Sequence, residues 1–123
     1  MFDHITITAS DYAKSRAFYE TTLASFKMKP LYEEKDIVTG FGVDRPVFWV
    51  SKHDTEHPVS TNVHIAFRCD SQELVNTFHE TALAAVGKDH GAPGLRPQYH
   101  EKYYAAFVLD PDGNNIEAVY GNS

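Results

Sequence analysis

Cysteine is almost missing from this chain. Of 123 residues, Cys69 is the only one. One thiol cannot build an intrachain disulfide framework, and it fits a reducing cytoplasm. Basic charge is also scarce. Eleven Lys and Arg stand against seventeen Asp and Glu, a formal net charge of −6. Such a surface repels phosphate backbones and anionic lipids, so neither nucleic acid nor a membrane is an expected partner. No apolar run approaches the ~20 residues of a membrane span. The opening MFDHITITASD has neither a basic n-region nor an apolar h-region, so no signal peptide is expected. Aromatic residues, by contrast, are plentiful: seven Tyr, eight Phe and one Trp. With 42% hydrophobic residues, the composition is that of one globular domain over 1–123, with a substantial core or an aromatic-lined cavity.

The chain contains an internal repeat. An offset of 60 aligns His4 with His64, Ile5 with Ile65, Phe18 with Phe78 and Glu20 with Glu80. It also aligns Thr21 with Thr81, Leu23 with Leu83 and Ala24 with Ala84. Both copies open on an alternating β-branched or aromatic strand, HITIT (4–8) and VHIAFRC (63–69). A helix follows each, starting near Ser10-Asp11 and Asp70-Ser71, whose side chains can cap free N–H groups. Ala13, Ala17, Phe18 and Leu23 are expected to face the core from the first helix, and Leu74, Val75, Phe78 and Leu83 from the second. LYEEKDI, TGFGV and VFWVSK then read as strands, as do YYAAFVLD and NNIEAVY. KDHGAPGLRPQYH reads as a loop with a strand tip, and GAPGLRP (91–97) as the longest irregular piece. HDTEHPVST (53–61) is the expected linker. The chain is thus two tandem βαβββ modules, about 1–56 and 60–121. An α+β fold follows, the modules pairing into a curved open-barrel sheet whose concave face carries alternate side chains of both halves.

Two imidazoles occupy equivalent positions, His4 and His64. Matching the closing strands VFWV (47–50) and IEAV (116–119) by overlaying the Gly-containing turns before them sets Glu117 against Trp49. The concave face would then carry His4, His64 and Glu117. Two neutral imidazoles and one carboxylate, with coordination positions left open, suit a divalent metal.

His4-Ile-Thr-Ile, the helix with Ala17-Phe18-Tyr19, His64-Ile-Ala-Phe and the closing FVLDPDGNNIEAV resemble the vicinal oxygen chelate superfamily. This is the group of glyoxalase I, bleomycin-resistance proteins and extradiol dioxygenases, and the resemblance covers essentially the whole chain. It implies paired βαβββ modules, a divalent metal (Zn, Ni, Mn or Fe) on His4, His64 and Glu117, a small-molecule substrate and a homodimer with sites at or near the interface. The implied activity is that of a glyoxalase-like lyase or isomerase on an oxygen-chelating carbonyl or thiol adduct. Glyoxalase I-like members usually carry a fourth ligand, Glu or Gln, where this chain has Trp49. The three-ligand count keeps an Fe(II) ring-cleaving dioxygenase as the alternative, and a non-enzymatic drug-binding protein as a third.

Other side chains are candidates for the same pocket. His100 and Tyr104 could move a proton or bond a metal-bound oxygen, beside Glu117 as the third catalytic candidate. Arg96 could grip a substrate carboxylate. Trp49 and Phe41 would line the pocket. Asp110 to Asn114 reads as a tight turn, with too few ligands for calcium.

Overall fold

The computed structural model describes residues 1–122. The first module runs β1 (Ile5–Ala9), α1 (Tyr12–Leu23), β2 (Lys29–Glu34), β3 (Val38–Gly42) and β4 (Phe48–Lys52). The second runs β5 (His64–Arg68), α2 (Gln72–Ala84), β6 (Lys88–Leu95), β7 (Tyr104–Leu109) and β8 (Asn115–Tyr120). Each module makes one four-stranded sheet, ordered β1-β4-β3-β2 and β5-β8-β7-β6. The α+β, two-module architecture is the one expected from the repeat. The sheets stay separate, with no strand pairing across modules among the described residues.

One core joins the modules instead. Phe67 of β5 lies edge-on to Phe48 of β4 at 5.6 Å and stacks on Phe26 at 5.0 Å. Phe26 also meets Phe78 of α2 at 5.6 Å. Phe48 and Phe78 are fully buried and Phe26 and Phe67 partly so; full burial of such a ring contributes roughly 1.5–3 kcal/mol.

The helices start where their caps predict. The Asp11 side chain accepts from the Lys14 N–H, and Ser71 from the Leu74 N–H. Their buried faces differ from the expected stripes. In α1 the buried side chains are Tyr12, Ser15, Phe18, Tyr19, Thr22 and Leu23, while Ala13 and Ala17 are exposed. In α2 they are Val75, Phe78 and Ala82, and Leu83 is largely in solvent. Spacings of three and four keep residues on one face; the expected sets drifted around the helix.

The segment expected to be irregular is also different. Lys88–Leu95 is the eight-residue strand β6, paired antiparallel with β7 through register shifts at Asp89/Gly91 and Gly91/Gly94. Bulges and an outer position let a strand carry Gly91, Pro93 and Gly94. Another outer strand, β2, holds Pro30 beside a shift of its own.

A polar cluster ties the DPDG turn to both modules. Buried Asp110 accepts from the Tyr19 hydroxyl at 2.5 Å, from the Asp112 and Asn114 N–H groups at 2.9 Å each, and from the Asn114 side chain at 3.1 Å. Asn114 in turn accepts from the Val63 N–H and donates to the Ser60 carbonyl. The start of β5, where His64 sits, is thereby fixed against the start of β8.

Candidate functional site

Strand register decides which side chains can meet. β5 lies parallel to β8 with Ala66 opposite Glu117, and β1 lies parallel to β4 with Thr6 opposite Trp49. Thr6 and Ala66 are equivalent under the 60-residue offset, so Trp49 does stand where Glu117 stands in the other module. Ile65 and Phe67 pack against the core, which turns His64, Ala66 and Arg68 to the opposite face. Ile116 and Ala118 likewise face the core, and Glu117 the opposite side.

Glu117 is 1% exposed although it faces away from the helices. Its cover is specific. His64 Nε2 donates to Oε1 at 2.8 Å, and the Tyr103 hydroxyl donates to Oε2. Phe107 lies opposite it in the β7–β8 register, and the His64 ring is 6.2 Å from the Phe107 ring. A buried carboxylate is tolerated when charge-assisted bonds replace its water. Both oxygens have such a partner here. Burial, followed by the bond to Glu117 and its negative charge, raises the Tyr103 phenol well above its ordinary value.

These residues fit a cation. His64 Nε2 and Glu117 Oε1 are one nitrogen and one oxygen at 2.8 Å, close to the ~3 Å between two ligands at right angles on one ion with ~2.1 Å bonds. Asn115, opposite His64 and two residues before Glu117, has its side-chain Oδ1 buried without a hydrogen-bond partner. His64 and Glu117 would be the ligands, and a divalent ion held by them would supply Lewis acidity to a bound oxygen.

The third expected ligand lies elsewhere. His4 is exposed, bonds Asp3 through Nδ1 at 2.6 Å and lies near Phe2, Arg45 and Val47. Among the described residues, no group of three His, Cys, Asp or Glu is gathered closely enough to hold an ion. One chain therefore brings together two of the three expected ligands.

The remaining candidates separate as well. Tyr104 turns toward α2, packs on the core and donates to Asn76 at 2.7 Å. Tyr103, its neighbour, is the phenol at Glu117. Phe41 is fully buried in the core, because it pairs with core-facing Phe48. Gly40 is the residue opposite Trp49, and a Cβ there would fall 2.7 Å from the indole. The half-buried Trp49 leans on Tyr32 at 5.6 Å. Arg96 covers Phe107 at 5.3 Å and donates to the Gly94 and Ala92 carbonyls at 2.8 Å each. It therefore borders the Glu117 site. His100 accepts from the Lys102 N–H and lines an open groove of about 1030 Å³ with Arg68, Cys69, Tyr120 and Ala66, the residue opposite Glu117. Burial first, then Asp70, pushes the Cys69 thiol there up to about 12.

The sequence of residues 1–118 matches the model of the Glyoxalase/Bleomycin resistance protein/Dioxygenase superfamily. The chain belongs to that superfamily. A glyoxalase/bleomycin resistance protein from Albidiferax ferrireducens shares its structure at a TM-score of 0.85, with 26% identity over 98% of this chain and 99% of that one. Lactoylglutathione lyase from Agrobacterium tumefaciens shares the fold at 0.69, with 17% identity over 98% and 93%. The E126Q mutant of the fosfomycin resistance protein FosX from Listeria monocytogenes, complexed with Mn(II) and 1S,2S-dihydroxypropylphosphonic acid, does so at 0.68, with 21% identity over 97% and 88%. Among curated proteins, no sequence is similar enough to match. The superfamily's fold is therefore this chain's fold, and the FosX complex shows a divalent metal in one of its neighbours. No described helix is long and apolar enough to cross a membrane.

Proposed function

We propose that this protein is a divalent-metal-dependent lyase or isomerase of the glyoxalase type, acting on a small molecule with two adjacent oxygens. The observation that carries the reading is the buried Glu117 carboxylate bonded to His64 Nε2 at 2.8 Å. The pair offers one anionic oxygen and one imidazole on a rigid sheet, two of the three expected ligands. His4 supplies the third ligand from a second copy of the chain. Its exposure, on a module whose own carboxylate position is Trp49, leaves it free to do so. In a two-fold dimer each site would join His4 of one protomer to His64 and Glu117 of its partner. A metal held there would bind the vicinal oxygens and stabilise the negative charge that develops on them. Arg96, at the border of the site, would meet an acidic substituent of the substrate.

Metal uptake tests the reading. Purified without a His tag, the wild type should bind Zn²⁺ or Mn²⁺ with a Kd well below 1 mM, tighter than about −4 kcal/mol, and Glu117→Gln should not. His4→Ala alone should also fail. Mixing the His4→Ala and Glu117→Gln proteins and allowing exchange should restore about one site in four, because half the dimers are mixed and each holds one complete site. Wild-type protein that binds no divalent metal refutes the reading. Restoration that never occurs refutes the shared site.

A further inference from the structure

Glu117 has two oxygens, and the structure gives them different partners. Oε1 faces His64 Nε2 at 2.8 Å. Oε2 accepts from the Tyr103 hydroxyl. We infer that Tyr103 is a positioning residue that ties one carboxylate oxygen of Glu117, leaving the other oxygen and the His64 nitrogen to a single divalent cation. The inference rests on the metal reading proposed above and adds how the carboxylate is presented.

Tyr103 is well placed to hold a fixed direction. It closes a short loop, its carbonyl accepting from the Arg96 N–H at 2.7 Å and its N–H donating to the His100 carbonyl at 3.1 Å. Its ring meets Tyr99 edge-on at 5.2 Å. Arg96, at the loop's other end, is itself held by the Gly94 and Ala92 carbonyls and by the Phe107 face. The phenol therefore approaches Glu117 from a braced hairpin, and Glu117 is too buried for water to replace it.

A carboxylate can bind a cation through one oxygen or both. Tying Oε2 to a phenol commits the group to one-oxygen binding. The cation then keeps one more coordination position for substrate oxygens, which a site with three protein ligands can use for a two-oxygen chelate. Bonds of this kind, from outer groups to metal ligands, fix ligand orientation and tune affinity.

Co²⁺ is the probe of choice, since its visible absorption reports ligand number as well as occupancy. On the whole protein, Tyr103→Phe should weaken Co²⁺ binding by about 10–100-fold and change the visible band intensity as the carboxylate turns to two-oxygen binding. Tyr99→Phe, which touches Tyr103 but not Glu117, should leave both readings unchanged. Equal Co²⁺ affinity and an unchanged spectrum in Tyr103→Phe overturn the assignment while leaving the metal reading intact. So does a Tyr103→Phe chain that no longer folds, since the phenol would then serve the fold. Wild-type protein without Co²⁺ affinity overturns both together.

Discussion

Replacing Tyr19 with Phe removes one oxygen from the interior and should cost far more than its size suggests. Tyr19 is fully buried, and its hydroxyl donates to Asp110 at 2.5 Å. Asp110 is itself buried, with three further donors from Asp112 and Asn114. The variant leaves that carboxylate one charge-assisted bond short, with no water to fill the gap. A hydrogen bond to a buried charged group is worth about 1.5–3 kcal/mol. For a domain of this size that loss lowers Tm by roughly 5–15 °C, or the urea midpoint by about 1 M. Urea unfolding followed by fluorescence, at one fixed protein concentration, measures it. Asp110→Asn in the same background supplies the decisive comparison. If the bond carries the effect, the two substitutions should be non-additive by about 1 kcal/mol or more. A Tyr19→Phe loss below about 0.5 kcal/mol, or strict additivity with Asp110→Asn, refutes the reasoning.

Gly40→Ala should drive the indole of Trp49 out of its place, because the new Cβ would sit 2.7 Å from the ring and 2.9 Å from Pro46 Cβ. We expect a cost of about 1–3 kcal/mol and a shifted emission from this sole tryptophan, read by fluorescence. Stability should also fall in alkali. Cys69, Tyr19 and Tyr103 are all held protonated in the folded chain beyond their ordinary values of 9.0 and 10.0. The unfolded chain sheds those protons first, so their contribution is complete below about pH 9 and is lost as pH climbs toward 12 and beyond. A unfolding free energy that stays flat from pH 8.5 to about 11.5 contradicts this assignment.

Much of the architecture is legible in the sequence, because duplication writes it twice. The 60-residue offset marks two modules and their capped helices, the closing strands give the equivalence of Trp49 with Glu117, and the caps and the register agree. Reading failed where one residue decides a face. Phe41 and Tyr104 are each one position from the residue that belongs on the open side, Gly40 and Tyr103. In a strand such a slip transfers a side chain from solvent to core. Alternation counted from Glu117 on β8 alone does not fix β7, since the turn between them sets the register. The antiparallel pairing of Phe107 with Glu117 shows which β7 residues share its face. β6 was misread for a different reason. Its glycines and proline are loop residues by composition, and only its outer position makes them acceptable in a strand. The separation of His4 from Glu117 was beyond reach, because sequence equivalence does not state whether two equivalent positions face each other within a chain.

The outer strands have a consequence for how this protein can associate. β2 and β6 each end one side of their sheets, opposite β1 and β5, and both carry proline, a break in register and charged residues such as Lys29, Glu33, Lys88 and Asp89. A proline nitrogen offers no hydrogen to an incoming strand, and a bulged, charged border resists a flat neighbour. Growth by adding strands, the route to amyloid-like stacking, is blunted at these two of the four sheet borders. At these two borders a second copy of the chain would meet side chains and a broken register rather than a free row of backbone groups.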